Sequence, residues 1–321
     1  MQIVDLDKNY KDDTKVAICL GNFDGIHIAH KALIDSMVKI AKKLNVKTSI
    51  LLFENHTREL TLKKKPRLLI KNEDKLNLLE DLKVDIAYRL RFDDNIMNLS
   101  PEEFVKNILV EKLNVKSVTV GFDYKFGHKA SGDVDLLKKL GEKYDIYVDI
   151  VDPIYAVVNN EKLLVSSTMV RESIKQGNVD LAYKLLGRYF KIKGEVVPGY
   201  KRGRILGFPT ANIKADEEYV LPKEGIYATH VTIDGKTFLG ATNVGRNLTF
   251  EAEDIKIETY IIDFSEEIYG KIIEIEFIKY IREEVKFDNK DDSLTSSVRC
   301  EPGVALWKAR NSTWVSSRLW G

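Results

Sequence analysis

Two histidines three residues apart, His27 and His30, lie in the string "GNFDGIHIAH" (Gly21 to His30), in a chain with five histidines in all. On a helical turn, residues at that spacing share one face. Gly21 and Gly25 let the backbone turn tightly and come close to a ligand. A helix that starts just beyond them presents free N–H groups, which favour phosphate. Two imidazoles converging on a bound phosphate can stabilise charge as it develops in a transition state. The spacing alone is equally compatible with one histidine capping the helix and the other lying on the surface.

A second string, "GYKRGRILGFPTANI" (Gly199 to Ile213), carries a different set of groups. Gly199, Gly203 and Gly207 form a flexible cradle with Lys201, Arg202 and Arg204 beside it. Loops of this type hold phosphates through backbone N–H groups. Thr210 and Asn212 are two apart, so on an extended segment they face the same side. Their hard oxygens suit Mg²⁺, which keeps phosphate oxygens and waters as its other ligands. The alternative is a basic loop before an ordinary strand, which the Pro-Thr-Ala-Asn run after Gly-Phe makes unattractive.

These groups need elements to position them. The first half alternates strand and helix: "KVAICLG", then a helical run carrying Leu33, Met37, Ile40 and Leu44, then "TSILLF", "NEDKLNLLEDL", "VDIAYRL", "EEFVKNILVEKL", "KSVTVGF", "DVDLLKKLGEKY" and "DIYVDIV". Ser100-Pro101-Glu102-Glu103 reads as a capping box with proline at the first helical position. Regular alternation predicts a parallel sheet covered by helices. The HxxH string then falls where a strand ends and a helix begins, the usual ligand position in such sheets.

The pattern changes after about Leu186. From Arg188 to Asp288 the chain is β-rich, with Asp234-Gly235 as a two-residue hairpin signal. This half predicts a small antiparallel β-barrel. The last segment differs again: Trp307, Trp314 and Trp320 all lie after Asp292, and the Lys/Ile/Glu character of the rest stops there. The expected division is an α/β domain over 1–186, a barrel domain over 187–292 and a tail over 293–321 that is not native to the fold. Pro302-Gly303 would break any helix begun before it.

The totals narrow the class. A net charge of +1 argues against a nucleic-acid binder with a broad basic surface. The basic run "KKKPR" (Lys63 to Arg67) reads as a solvated loop. Cys19 and Cys300 cannot build a disulfide framework or a zinc site, and Cys19 reads as a small buried hydrophobe. The N-terminus lacks the apolar core of a signal peptide, and no apolar run reaches membrane-spanning length. A cytoplasmic enzyme or binding protein, with neither membrane nor nucleic acid as partner, is the expectation.

The motifs resemble one family. "GNFDGIHIAH" is similar to the HxGH-type nucleotidylyltransferase signature of bacterial bifunctional riboflavin kinase/FAD synthetases, with Ala29 where the family usually has glycine. "FENHTREL" resembles F-x-P-H-P-x-E, with Asn55 and Thr57 replacing both prolines. "GFDYKFGHKASGD" resembles the flavin-side loop, which implies that Asp123 and Phe126 line a flavin pocket. "VSSTMVR" resembles I-S-S-T-x-I-R. The resemblance implies that Gly21, Asn22, Phe23, Asp24, Gly25, Ser167 and Thr168 bind nucleotide. It puts His27 and His30 at the α-phosphate and Arg171 at the leaving pyrophosphate.

The second half resembles riboflavin kinase almost letter for letter in "GRILGFPTAN". "EGIYA", "NVGRNLTF" (Leu248 in place of proline) and "IETYIIDF" fit the same pattern. The resemblance implies that Lys201, Gly203 and Gly207 hold ATP phosphates, Thr210 and Asn212 hold Mg²⁺, and Glu258 is the general base. Strand alternation alone leaves Glu258 equally readable as a solvent-facing carboxylate. The implied substrates are riboflavin, FMN and ATP, and the products FMN and FAD. The family usually closes its kinase half with a Glu/Lys-rich amphipathic helix, where this chain has "SLTSSVRCEPGVALWKARNSTWVSSRLWG".

Overall fold

The computed structural model describes residues 1–6, 10–11, 13–53, 67–91, 93–198, 210–215, 219–246 and 255–283. The chain divides into two compact units. The first comprises Met1–Arg171 with Lys184–Gly187; the second comprises Glu172–Tyr183 with the described residues from Arg188 onward.

The first unit is built on six parallel strands: β1 (Gln2–Leu6), β2 (Val16–Leu20), β3 (Lys47–Phe53), β4 (Ile86–Leu90), β5 (Val115–Gly121) and β6 (Tyr147–Val151), in the order β1-β4-β3-β2-β5-β6. β2 is central, and every one of its residues is buried. Val16, Ile18 and Leu20 enter one apolar core and Ala17 and Cys19 the other, as strict alternation through a doubly covered sheet requires. The strand order reverses beside β2, with β3 on one side and β5 on the other. That is the switch point where loops part and a ligand crevice opens. The loops leaving β2 and β5 are the HxxH string and the flavin-side loop.

Helix α1 (Ile28–Leu44) follows β2 and buries Leu33, Ile34, Met37 and Ala41. Helix α2 (Asn72–Asp81) matches "NEDKLNLLEDL". The capping box forms: the Glu103 N–H donates to Ser100 Oγ at 3.2 Å, and the Ser100 N–H donates to Glu103 Oε2 at 2.8 Å. The helix it opens departs from the expected α form, because residues Phe104–Lys112 run in the wider π register. At about 3.6 residues per turn, Leu113 would point half a turn away from Phe104. In the π form Phe104, Val105, Ile108, Leu109 and Leu113 are all buried.

Several elements escaped the sequence reading, among them the helices Asp94–Met97 and Val179–Leu186. Strand β1 lies at the sheet edge. A hairpin of β7 (Tyr155–Val158) and β8 (Glu161–Leu164) turns through Asn159 and Asn160, at φ 49° and 66°. Asparagine tolerates that left-handed region better than most residues.

The second unit holds a closed antiparallel barrel in the order β10-β13-β12-β11-β14-β9. Its strands are β9 (Phe190–Val197), β10 (Thr210–Ala215), β11 (Gly225–Ile233), β12 (Lys236–Arg246), β13 (Ile255–Ile261) and β14 (Ile272–Arg282). Asp234 and Gly235, at φ 47° and 78°, make the expected hairpin turn between β11 and β12. Among the described residues, Thr229, Thr242 and Thr259 form a buried hydroxyl ladder: Thr242 Oγ1 lies 2.9 Å from both Thr229 Oγ1 and Thr259 Oγ1.

Candidate active sites

The turn after β2 is forced. Phe23, Gly25 and Ile26 all have left-handed backbone, at φ 46°, 84° and 40°. At Gly25, with its φ of 84°, any side chain would be strained, and a Cβ would lie 2.9 Å from Leu69 Cδ1. The turn delivers His27 to the N-cap of α1, where its Nδ1 accepts the His30 N–H at 3.3 Å. One histidine is therefore a cap, and it is also half of a pair: the two rings stack with centroids 3.6 Å apart and 12° between planes. Phe23 supports His30 from beneath at 5.1 Å. Burial holds the His30 pKa well below the ordinary histidine value, and the charges of His27 and Lys75 push the same way. His30 is therefore neutral near pH 7. Its Nδ1 is buried without a hydrogen-bond partner among the described residues.

Both histidines line a cavity of about 600 Å³, an ordinary size for a small-molecule site. Gly21, Asn22, Asp24 and Ala29 line it from the β2 side, Asp123 and Phe126 from the β5 side, and Ser167, Thr168 and Arg171 from helix α6 (Ser167–Lys175). Phe23 and Gly25 are buried and lie outside the lining. Tyr124 and Phe126 stack at 5.7 Å with 13° between planes, and Phe104 meets Phe126 at 6.0 Å.

Asp24 lines the cavity, and its carboxylate is also tied into the protein. Its carboxylate is 3% exposed, and both oxygens are engaged by the protein. Oδ1 accepts the Leu69 N–H at 3.1 Å, and Oδ2 pairs with the Arg171 guanidinium. The Asp24 carbonyl accepts the Ser167 hydroxyl at 2.8 Å, and Arg171 Nε donates to the Arg67 carbonyl at 3.3 Å. Asp24 thus fixes the start of α6 and aims Arg171. Lys75 on α2 is nine-tenths buried close to this cluster. Burial lowers its pKa, and the Asp24 carboxylate opposes that shift. The sequence signal for Lys75 was its place four residues before the core residue Leu79, on the same helical face.

In the barrel, register brings three sequence-predicted residues together. Asn212 lies opposite Glu258, and Thr210 opposite Tyr260, across the β10–β13 pair. Opposed residues share a face. Ile257, Thr259 and Ile261 of β13 are buried, so Thr210, Asn212 and Glu258 stand on the other, half-buried face. On the far side of Glu258 the register sets Asn243 of β12, which the sequence reading passed over. A hydroxyl, an amide oxygen and a carboxylate in one patch are hard donors of the kind Mg²⁺ takes. Lys201, Gly203 and Gly207 lie outside the described residues, as do Asn55, Thr57, Leu248, Cys300 and the 293–321 tail.

Comparison with known proteins decides the family. Residues 9–169 match the family described as FAD synthetase, and residues 186–300 match riboflavin kinase. A bifunctional riboflavin kinase/FMN adenylyltransferase from Listeria monocytogenes is 39% identical over 302 residues, covering 93% of this chain and 94% of that protein. The chain belongs to the bifunctional riboflavin kinase/FMN adenylyltransferase family. Relatives of the same description from Bacillus subtilis and Escherichia coli K12 are each 33% identical. They cover 92% and 88% of this chain, and 93% and 90% of their own lengths. The enzyme phosphorylates riboflavin to FMN and adenylylates FMN to FAD, with ATP as donor in both steps. A crystal structure described as a macrolide-efflux protein from Streptococcus pneumoniae superposes with a TM-score of 0.85 at 29% identity. It covers 95% of this chain and 98% of its own. Among the described residues of the present chain, no helix is long and apolar enough to cross a membrane.

Proposed function

We propose that the cavity of the first unit performs adenylyl transfer and the Glu258 face of the barrel performs the kinase step. In the first, a phosphate oxygen of FMN attacks the α-phosphorus of ATP in line, and the bond to pyrophosphate breaks. No covalent enzyme intermediate is needed; positioning and electrostatics carry such reactions. His27 and His30 serve the α-phosphate, with neutral His30 as an uncharged donor. Gly21, Asn22, Ser167 and Thr168 hold the nucleotide. Arg171, aimed by Asp24, takes the departing pyrophosphate charge. Asp123 and Phe126 belong to the flavin side.

In the second step the ribityl 5′-hydroxyl attacks the γ-phosphorus. Its proton passes to Glu258 and ADP leaves. Lys201, Gly203 and Gly207 fit the phosphate cradle. Thr210 and Asn212 would hold Mg²⁺, which would supply charge neutralisation for the transferred phosphate. A cytoplasmic setting suits a chain with two cysteines and no disulfide framework.

The observation that carries this reading is the stacked His27–His30 pair at the cavity wall, with Arg171, paired to Asp24, lining the same cavity. His27→Ala and His30→Ala should each abolish FAD formation from FMN while FMN formation from riboflavin continues. Equal loss of both steps in a folded protein overturns the assignment.

A further inference from the structure

The loop after β5 contains a strained, anchored tip that the roles above leave unused. Its stem is closed by a two-way bridge: the Phe126 N–H donates to the Gly132 carbonyl at 3.1 Å, and the Gly132 N–H donates back at 2.9 Å. Gly127 presses so close to Pro101 that a Cβ there would lie 2.7 Å from the proline nitrogen. The His128 N–H donates to the Leu99 carbonyl at 2.7 Å, and its Nδ1 lies 3.3 Å from the Met97 carbonyl. Between these anchors Lys129 and Ala130 both adopt left-handed backbone, at φ 52° and 57°. Two consecutive residues with side chains in that region are unfavourable, and such strain collects where function needs it. Both line the cavity.

The charges of the lining single out Lys129. Arg171 is paired with Asp24, and Lys125 Nζ lies 3.5 Å from Asp133 Oδ2. Lys129 is exposed to the cavity and has no ionic or hydrogen-bond partner among the described residues. It sits three residues past Phe126, in the same loop as the stacked Tyr124 and Phe126 rings.

We propose that Lys129 is a specificity residue of this cavity: its ammonium receives the phosphate monoester of the incoming flavin, so the cavity takes FMN rather than riboflavin. The proposal rests on the reading of this cavity as the adenylylating site. A phosphate dianion gains from a fixed, uncompensated cation what a neutral hydroxyl cannot. The strained, anchored backbone fixes where that side chain leaves the loop.

The test uses the full chain and follows FAD formation from FMN and MgATP. Lys129→Met should raise the KM for FMN about tenfold or more, the worth of a charge-assisted hydrogen bond, and move kcat less than about twofold. Lys129→Gly should do the same, and glycine favours the left-handed backbone, so loop collapse cannot explain its loss. Lumiflavin, which has the ring without ribityl or phosphate, should inhibit all three proteins equally. An unchanged KM for FMN overturns the proposal. So does an equal weakening of lumiflavin inhibition, which would place the cation on the ring, or a matching rise in the KM for ATP, which would place it on the triphosphate. His30→Ala tests the underlying reading separately: if that variant still makes FAD, the cavity assignment fails whatever Lys129 does.

Discussion

Asp24 reaches Arg171 across 147 residues of chain, whereas Asn212 meets Glu258 through strand register. In the first unit the site is braced by buried charge: a carboxylate that holds a guanidinium, a lysine nearby, and a histidine kept neutral by burial. In the barrel the pleat and the pairing of β10, β13 and β12 set the row Asn212, Glu258, Asn243 on one face. A charge-braced site fails when one partner is removed, because the other is left buried and unpaired. A register-built site loses only the chemistry of the group removed, because the barrel goes on fixing the backbone.

That contrast can be broken at several points. The largest effect is expected at Glu258. Glu258→Gln keeps the shape but cannot take a proton, so riboflavin phosphorylation should fall about 100-fold or more, with the barrel's melting temperature unchanged. A variant that phosphorylates riboflavin at the normal rate removes Glu258 from the role of base. Next comes Asp24→Asn. The amide oxygen can still accept the Leu69 N–H, but Arg171 loses its anion. FAD formation should drop about 10- to 100-fold, mostly as a weaker kcat/KM for ATP, and the first unit should lose stability as well. Normal activity with normal stability would show that Arg171 needs no brace.

Acid should divide the two regions by a smaller margin. His30 has a depressed pKa in the folded protein, so its neutral form contributes stability fully above the unfolded value, about 6.5, and loses it as pH falls below that. In the barrel the Glu274 pKa is lowered: burial acts upward, but hydrogen bonds and charge from Lys191 and Lys193 outweigh it. Its contribution is fully present above the ordinary value of 4.5 and fades only below that. Calorimetric melts between pH 7 and pH 5 should therefore weaken the first unit before the barrel, and His30→Asn should flatten that dependence. Parallel loss in both units would contradict the burial of His30 as its cause.

The local rules of the chain were legible in its sequence. The apolar run of β2 announced a strand, the strand–helix alternation a parallel sheet, Ser100 and Glu103 their capping box, and Asp234-Gly235 its turn. The paired histidines marked a strand end, and both line the cavity there. What escaped depends on contacts between distant segments. Nothing in "GNFDG" says that Asp24 will spend its oxygens on Leu69 and Arg171, because that link exists only once α6 returns to the β2 loop. Lys75 reads as an ordinary helix cation until its face turns out to be the buried one. The π register past Glu103 follows from core demands at Leu113, which a helical period of 3.6 cannot express. The hairpin at Asn159-Asn160 lacks the glycine that marks the commoner turns.

The central claim is that one chain carries two sites that share no catalytic residue. Mixing two crippled chains tests it most directly: His30→Ala and Glu258→Gln, incubated with riboflavin and MgATP, with riboflavin, FMN and FAD separated over time. His30→Ala alone should stop at FMN, and Glu258→Gln alone should leave riboflavin almost untouched. Together they should make FAD, because FMN released by one is substrate for the other. A mixture that makes no FAD, although each chain is folded and performs its remaining step alone, would contradict the account.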